Sequence, residues 1–211
     1  GFNRRFDPNF AEVKKRIDAG AVGAVELVTI LSRDPAPPPP SYVARSGGLF
    51  RDMMIHDLDM ARFLLGEEPV EVHAVGASLV DPAIGLAGDV DTAAVLLKTR
   101  SGRIAQISNS RRATYGYDQR IEVHGSKGMA RAQNVPVTTV EVATAAGVLA
   151  DPVQNFFLER YAEAYRAELA AFVHAVTQRQ PLPVTAHDGR QAIVLAEAAV
   201  KSLRTGRSVK V

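Results

Sequence analysis

The sequence predicts an α+β domain in which helices pack on one face of a large, mainly antiparallel sheet. Residues 70–142 hold a series of short β-prone runs whose connections are too short for crossover helices, and helical patterns stand before and after this region. With 211 residues, 46% of them hydrophobic and 23% charged, the chain has the length and composition of a single globular domain, residues 1–211.

The amino-terminal part contains a helix, a strand and a proline-rich loop. Asp7-Pro8 followed by apolar residues at helical spacing predicts a helix over about 8–19. Residues 25–32 are rich in β-branched side chains and predict a strand. Residues 35–40 hold five prolines, which cannot donate sheet hydrogen bonds and favour polyproline II. We interpret this run as a stiff loop, with a ligand for a proline-binding module as the alternative.

The middle of the chain predicts one helix and then the sheet. The helix runs over about 48–65 and ends at Gly66. In Thr92–Leu97 both alternating sets of side chains are apolar apart from Thr92, so we expect this strand to be covered on both faces. The β-prone runs are 70–79, 92–99, 103–110, 120–124 and 137–142.

Two helices are predicted at the carboxyl end. The first, about 155–177, has an apolar stripe made of Leu158, Tyr161, Tyr165, Leu169, Phe172 and Val176. The second follows Thr185-Ala186-His187-Asp188, which has the pattern of a capping box, and runs to about residue 203.

Composition and charge limit the class of partner. The net charge of +2 comes without a concentrated basic stretch, so we expect no nucleic-acid partner. The chain has no cysteine, which excludes disulfides, thiolate catalysis and cysteine metal sites. No apolar run approaches the roughly 20 residues that span a bilayer, and the opening residues lack a signal-peptide core. We therefore expect a cytoplasmic protein without a membrane partner.

The helix predicted over 48–65 carries the side chains most suited to chemistry. At 100° per residue Asp52, His56 and Asp59 fall in one narrow arc, while the rest of the circumference is mostly apolar. A carboxylate one turn before an imidazole can orient it, and a neutral imidazole can take the proton of an alcohol during its oxidation.

Two alternatives explain the same spacing. Asp52 can cap the helix while His56 is a satisfied core residue, and the bare spacing favours this structural interpretation. A metal held by Asp52, His56 and Asp59 is the other alternative, but the chain offers no obvious fourth ligand, so we predict no metal site.

Three segments resemble one known family. Gly47-Gly48 followed by Asp52-Met53-Met54-Ile55-His56-Asp57 closely resembles the Gly-Gly…Asp-x-x-x-His-Asp segment of the glucose-fructose oxidoreductase / inositol dehydrogenase (Gfo/Idh/MocA) family. Residues 1–7 are similar to the segment with which that family leaves its Rossmann domain. Residues 115–118 and 124–128 are similar to later motifs of its sheet. The likeness covers essentially the whole chain and is closest to the myo-inositol dehydrogenase branch.

The resemblance implies a two-domain enzyme. An amino-terminal Rossmann domain would bind NAD or NADP, and this chain would be the carboxyl-terminal, substrate-binding domain of a dehydrogenase that acts on an inositol-like polyol or a sugar. The chain contains no Gly-x-Gly-x-x-Gly, and it does not begin with Met, so we expect the Rossmann domain to be absent from it and the chain alone to be inactive. The family also implies a homo-oligomer formed through the open sheet face.

The resemblance also implies roles for individual residues. His56 would be the acid/base, supported by Asp52, and a lysine of the Rossmann domain would complete the site. Asp34 corresponds to a position that often faces the polyol, although the end of a strand before Pro35 explains it equally well. Tyr115 or Tyr117 would offer a hydroxyl or simply pack on the sheet, and Arg4 would line the site or lie on the surface. The remaining rival function is a non-catalytic binding or self-association domain of the same architecture.

Overall fold

A seven-stranded mixed sheet forms the centre of the fold. The computed structural model describes all residues, 1–211. The strand order is β6-β5-β1-β4-β3-β2-β9, and β7 and β8 form a separate hairpin. Every neighbouring pair is antiparallel except β1 and β4, which confirms the predicted fold class. The strands are β1 (Val25–Arg33), β2 (Pro69–Ala77), β3 (Thr92–Thr99), β4 (Ile104–Ser110), β5 (Asp118–Gly125), β6 (Gly128–Ala132), β7 (Glu141–Thr144), β8 (Gly147–Ala150) and β9 (Val209–Lys210).

The helices begin and end largely where local signals place them. Asp7 caps the first helix through bonds to the N–H groups of Asn9 and Phe10, both 3.1 Å, and Thr185 and Asp188 form the predicted capping box. None of the helices is long and apolar enough to cross a bilayer. A 3-10 turn, Asn3–Phe6, precedes the helices, which are α1 (Pro8–Asp18), α2 (Pro40–Ser46), α3 (Leu49–Asp52), α4 (Ile55–Leu65), α5 (Pro82–Leu86), α6 (Phe157–Arg160), α7 (Ala162–Thr177) and α8 (Ala186–Thr205).

The core lies between the sheet and the helices α4 and α8. On β3 the side chains of Ala93, Val95 and Leu97 point into this core and are buried. The other face of β3 is open, and Leu96 is 50% exposed. Within this chain the helices cover only one face of β3, so the predicted cover of Thr92–Leu97 on both faces requires a partner outside the chain and stays a prediction.

The helix predicted over 155–177 is interrupted at Tyr161, and its apolar stripe does not enter the core. Tyr161 is buried, but Leu169 and Phe172 are 63% and 52% exposed. The helix α7 packs through small residues, such as Ala164, while its larger apolar side chains face outward. Exposure of this extent leaves a continuous apolar surface on one side of the domain.

Two other segments differ from expectation. The proline run does form an extended connection, but α2 begins at Pro40, because a proline is well suited to the first turn of a helix. The strand predicted over 137–142 lies further along, at β7, where it pairs with β8 instead of joining the main sheet.

Candidate active site

A cavity of about 800 Å³ opens beside the ends of β1 and β4. Its walls come from the 3-10 turn, the proline-rich segment with α2, the α3–α4 region and the start of α7. One wall is the stiff run of residues 35–39. The polar side chains that line the cavity are Asn3, Arg4, Asp34, Ser41, Tyr42, Arg45, Asp52, His56, Arg111, Tyr117, Tyr161 and Tyr165.

The helix predicted over 48–65 is broken between Asp52 and His56. The helix α3 ends at Asp52, and α4 begins at Ile55. Both Asp52 and His56 line the cavity, as expected. The prediction of a single line that also includes Asp59 is wrong. Asp59 lies outside the cavity and is bound by Arg5 at 2.8 and 2.6 Å and by Arg62 at 3.3 Å.

Asp52 is held by two donors from other parts of the chain. The hydroxyl of Tyr42 donates to Oδ1 at 2.6 Å, and Nη2 of Arg111 donates to Oδ2 at 3.0 Å. No hydrogen bond joins Asp52 to His56, so Asp52 does not orient the imidazole by direct contact as expected. Asp52 acts on His56 through its charge instead.

His56 is a neutral imidazole at the wall of the cavity. Burial, together with the nearby charge of Arg4, lowers the pKa of His56 to about 3, although Asp52 acts in the opposite direction. Its Nδ1 is buried without a hydrogen-bond partner, and the ring meets Phe2 edge-on, with centroids 6.2 Å apart. Because the ring is uncharged at neutral pH, a nitrogen lone pair is available to accept a proton.

Arg4 lies in the wall of the cavity and is only 5% exposed, so the surface alternative is wrong. Its guanidinium donates to Asp57, and to the hydroxyl of Ser32 at 3.3 Å. Asn109 donates to the other oxygen of Asp57 at 2.9 Å. Burial opposes the charge of Arg4, but Tyr161 and Asp57 outweigh it and raise the pKa of Arg4. A permanent positive charge therefore stands next to His56.

Asp34 follows β1 directly and also faces the cavity. Its carboxylate lies 3.8 Å from Nη1 of Arg111. Burial raises the pKa of Asp34 to about 6, against the opposing effect of Arg111 and Arg4. Asp34 is therefore a cavity-lining carboxyl whose ionised form is disfavoured by the fold. Such shifted pKa values are common in functional sites.

The structure separates the two candidate tyrosines. Tyr117 lines the cavity and is buried, which raises its pKa to about 12. Tyr115 lies outside the cavity, where its hydroxyl donates to Asp118 at 2.5 Å and accepts from Arg33 at 3.2 Å. The prediction that Tyr115 faces the substrate is therefore not supported by its placement, because its hydroxyl is already engaged.

Sequence reasoning missed Arg111 and Tyr42, which both hold Asp52. Arg111 follows β4, and Asp34 follows β1. The parallel register pairs Arg33 with Ser110, which sets these two side chains next to each other. The available signal in the sequence was a basic residue after one predicted strand and an acidic residue after another. It was not sufficient, because the sequence does not show that these two distant strands pair in parallel.

Comparisons with known proteins identify the family of the chain. Residues 10–131 match the sequence model of a family described as the GFO/IDH/MocA C-terminal domain. The chain is 56% identical over 211 residues to an inositol 2-dehydrogenase of Rhizobium meliloti, covering 100% of this chain and 64% of that protein. It is 52% identical over 210 residues to a myo-inositol 2-dehydrogenase of Thermotoga maritima, covering 100% of this chain and 63% of that protein.

Solved structures show the same fold. A myo-inositol dehydrogenase of Corynebacterium glutamicum superimposes with a TM-score of 0.97 at 48% identity, over 100% of this chain and 63% of that one. A scyllo-inositol dehydrogenase of Lactobacillus casei, with bound NAD(H) and scyllo-inositol, gives 0.90 at 35% identity, over 100% and 63%. The chain thus spans less than two thirds of the length of these relatives. Its sequence and fold make it a member of the GFO/IDH/MocA C-terminal domain family.

Proposed function

We propose that this chain is the substrate-binding part of a nicotinamide-dependent dehydrogenase that oxidises one secondary alcohol of an inositol-like ring. The observation that carries the proposal is the convergence of Asp34, Asp52 and His56 on one cavity. Relatives that match the whole chain at 50% identity or more include proteins named as inositol dehydrogenases, which supports the substrate class.

The cavity has the chemistry that an uncharged polyol needs. Each ring hydroxyl can donate one hydrogen bond and accept others, and the two carboxylates of Asp34 and Asp52 supply acceptors. Arg4 and Tyr117, which line the same cavity, supply donors. A site in which buried polar groups are matched to hydroxyls rejects analogues that lack them, because those groups are then left unpaired.

His56 is proposed as the group that removes the hydroxyl proton. It is neutral at working pH, as its lowered pKa requires. As the hydrogen leaves the carbinol carbon with its electron pair, the hydroxyl proton passes to the imidazole. The negative charge of Asp52 then stabilises the imidazolium that forms, while Arg4 favours later loss of that proton.

The residues of this chain do not fit the dinucleotide itself. No strand leads through a glycine-rich turn into a helix, which is the arrangement that holds the pyrophosphate. Structures of relatives contain NAD(H), and we propose NAD or NADP as the hydride acceptor, held by a Rossmann domain elsewhere in the whole protein.

The exposed stripe of α7 supports this arrangement of domains. Leu169, Phe172 and Val176 are more than half exposed, and Tyr165 of the same helix lines the cavity. An apolar surface beside the cavity is suited to cover by a cofactor-binding domain, which would also bring the hydride acceptor to the substrate.

The open sheet face supports a homo-oligomer. Val75, Leu96, Ile104 and Met129 are all more than two fifths exposed, and the strand registers place them on the face opposite the helices. A second copy of the chain is the partner we propose for this face.

The direct test is an activity screen of the whole protein with NAD and NADP against myo-inositol, scyllo-inositol and simple aldoses. We expect reduction of the nicotinamide with an inositol as the best substrate. The rival function, a non-catalytic binding domain, predicts binding of an inositol without reduction of either nicotinamide. That outcome would refute the proposed function.

A further inference from the structure

Arg111 is a fully enclosed cation that the proposed reaction does not use. Its side chain is 2% exposed, and its backbone N–H donates to the carbonyl of Asp91 at 2.8 Å, which fixes the chain just after β4. An arginine is seldom buried this deeply without partners of opposite charge. Here both partners are carboxylates that line the cavity.

The guanidinium stands between Asp34 and Asp52. Its Nη2 donates to Asp52 at 3.0 Å, and its Nη1 lies 3.8 Å from Asp34. The planar, permanently charged guanidinium can reach two carboxylates at once, which the point charge of a lysine does less well. The third nitrogen, Nε, is buried and has no partner among the residues of the chain. The side chain is therefore engaged through its two terminal nitrogens.

Resting on the proposed function, we propose that Arg111 is a positioning residue that holds Asp34 and Asp52 as one pair of acceptors for neighbouring hydroxyls of the polyol. Arg111 approaches one oxygen of each carboxylate, and Tyr42 donates to the other oxygen of Asp52. Because a carboxylate oxygen can accept two hydrogen bonds, each carboxylate still has lone pairs free for the cavity. The spacing of the pair would then select which adjacent hydroxyls of a ring are accepted.

The electrostatic surroundings explain why this cation is needed. Asp34 and Asp52 repel each other, and the charge of Asp52 adds to the effect of burial on Asp34. The other charged and titratable groups that line the cavity or act on this pair are Arg4, Tyr42, Arg45, His56, Asp57, Tyr117, Tyr161 and Tyr165. Without Arg111, Asp34 would lose the opposite charge that lowers its pKa most, so its pKa would rise further and it would be protonated, with fewer acceptor sites, at higher pH.

The experiment is the pH dependence of kcat/KM for inositol oxidation by the whole protein. On the acidic side of this pH profile, kcat/KM should fall as the Asp34–Asp52 pair takes up a proton; we call this fall the acidic limb. In Arg111→Met we expect the acidic limb to move to higher pH by at least about one unit, because the pair loses an opposite charge at this distance. His56 does not produce this limb, because its pKa is about 3. Arg112→Met is the matched control, an exposed neighbour for which we expect the wild-type limb.

A second variant distinguishes the loss of charge between Asp34 and Asp52 from the loss of packing around Arg111. In Arg111→Met with Asp34→Asn, only one carboxylate remains, and the limb should move back toward that of the wild type even though the rate stays low. If Arg111→Met lowers kcat/KM equally at every pH, Arg111 only fills space and the inference is wrong.

Arg111→Lys keeps the proposal testable if the methionine variant does not fold. It keeps the charge but loses the planar fork, so we expect the limb near its wild-type position and kcat/KM about tenfold lower or more, in line with the loss of a charged hydrogen bond. Wild-type kcat/KM in Arg111→Lys would contradict the positioning role. An inactive wild-type protein would instead refute the proposed function, so the two failures are distinguishable.

Discussion

Replacement of Asp34 by asparagine should make the domain more stable, although Asp34 belongs to the proposed site. The fold raises the pKa of this carboxyl from 3.8 to about 6, mainly by burial. In the unfolded chain the same carboxyl ionises near its ordinary value. Above pH 6 the folded state therefore carries an ionised group that it disfavours, and this cost disappears as the pH falls and the folded state takes up a proton.

The size of the effect follows from the shift. The rise of the Asp34 pKa to about 6 lowers the free energy of unfolding by about 3 kcal/mol at pH 8. At pH 4.5, where the folded state has already bound the proton, the loss is only about 1 kcal/mol. Asparagine resembles the protonated carboxyl in shape and removes the charge. We expect Asp34→Asn to raise the free energy of unfolding by up to those amounts at the two pH values.

Urea denaturation of the 211-residue chain at both pH values is the assay. Glu26→Gln, which removes an exposed carboxylate of β1, the strand that ends just before Asp34, is the control, and we expect it to stay within about 0.5 kcal/mol of wild type. A variant that is less stable than wild type at pH 8, or one whose stability gain does not depend on pH, would contradict this prediction. It would mean that Arg111 stabilises an ionised Asp34 more than burial opposes it.

Three other predictions test further parts of the structure. Arg4→Met leaves Asp57 buried without its cation and should lower the free energy of unfolding by about 3–5 kcal/mol in urea, and Asp57→Asn in the same chain should recover part of that loss. Tyr42→Phe removes a donor to Asp52 and should lower kcat/KM about tenfold in the whole protein, with little change in stability because Tyr42 is 45% exposed. Leu96→Glu places a charge on the open sheet face, so sedimentation at tens of micromolar should show a monomer where the unaltered chain self-associates; a wild-type monomer would contradict the use of this face.

Local signals predicted the elements that depend on local chemistry. The helix start at Asp7-Pro8 and the capping box at Thr185 and Asp188 were visible in the sequence, because at both places a short side chain bonds to backbone N–H groups two or three residues away. The antiparallel character of the sheet was visible in the short connections between strands. The spacing of Asp52 and His56 alone favoured a structural role, and it was the resemblance to the Gly-Gly…Asp-x-x-x-His-Asp segment that predicted their place in a common site.

The features that failed depend on distant contacts. The break between α3 and α4 falls at Met53 and Met54, which carry no local signal for the end of a helix. The parallel pairing of β1 with β4 joins strands that are about 75 residues apart, so the meeting of Asp34 with Arg111 could not be derived from a local pattern. The stripe of α7 has the periodicity of a core-facing helix, but periodicity does not say which partner covers it.

The most direct test of the account is His56→Ala in the whole protein, with turnover on an inositol and the urea midpoint measured on the same preparation. We predict that turnover falls by about a hundredfold or more, the usual scale for loss of a positioned general base, while the midpoint changes little because His56 lies at the wall of an open cavity. His187→Ala, at a histidine that is 65% exposed, should change neither quantity. Near-normal turnover with a large fall in the midpoint would make His56 a core residue and would contradict the proposed mechanism.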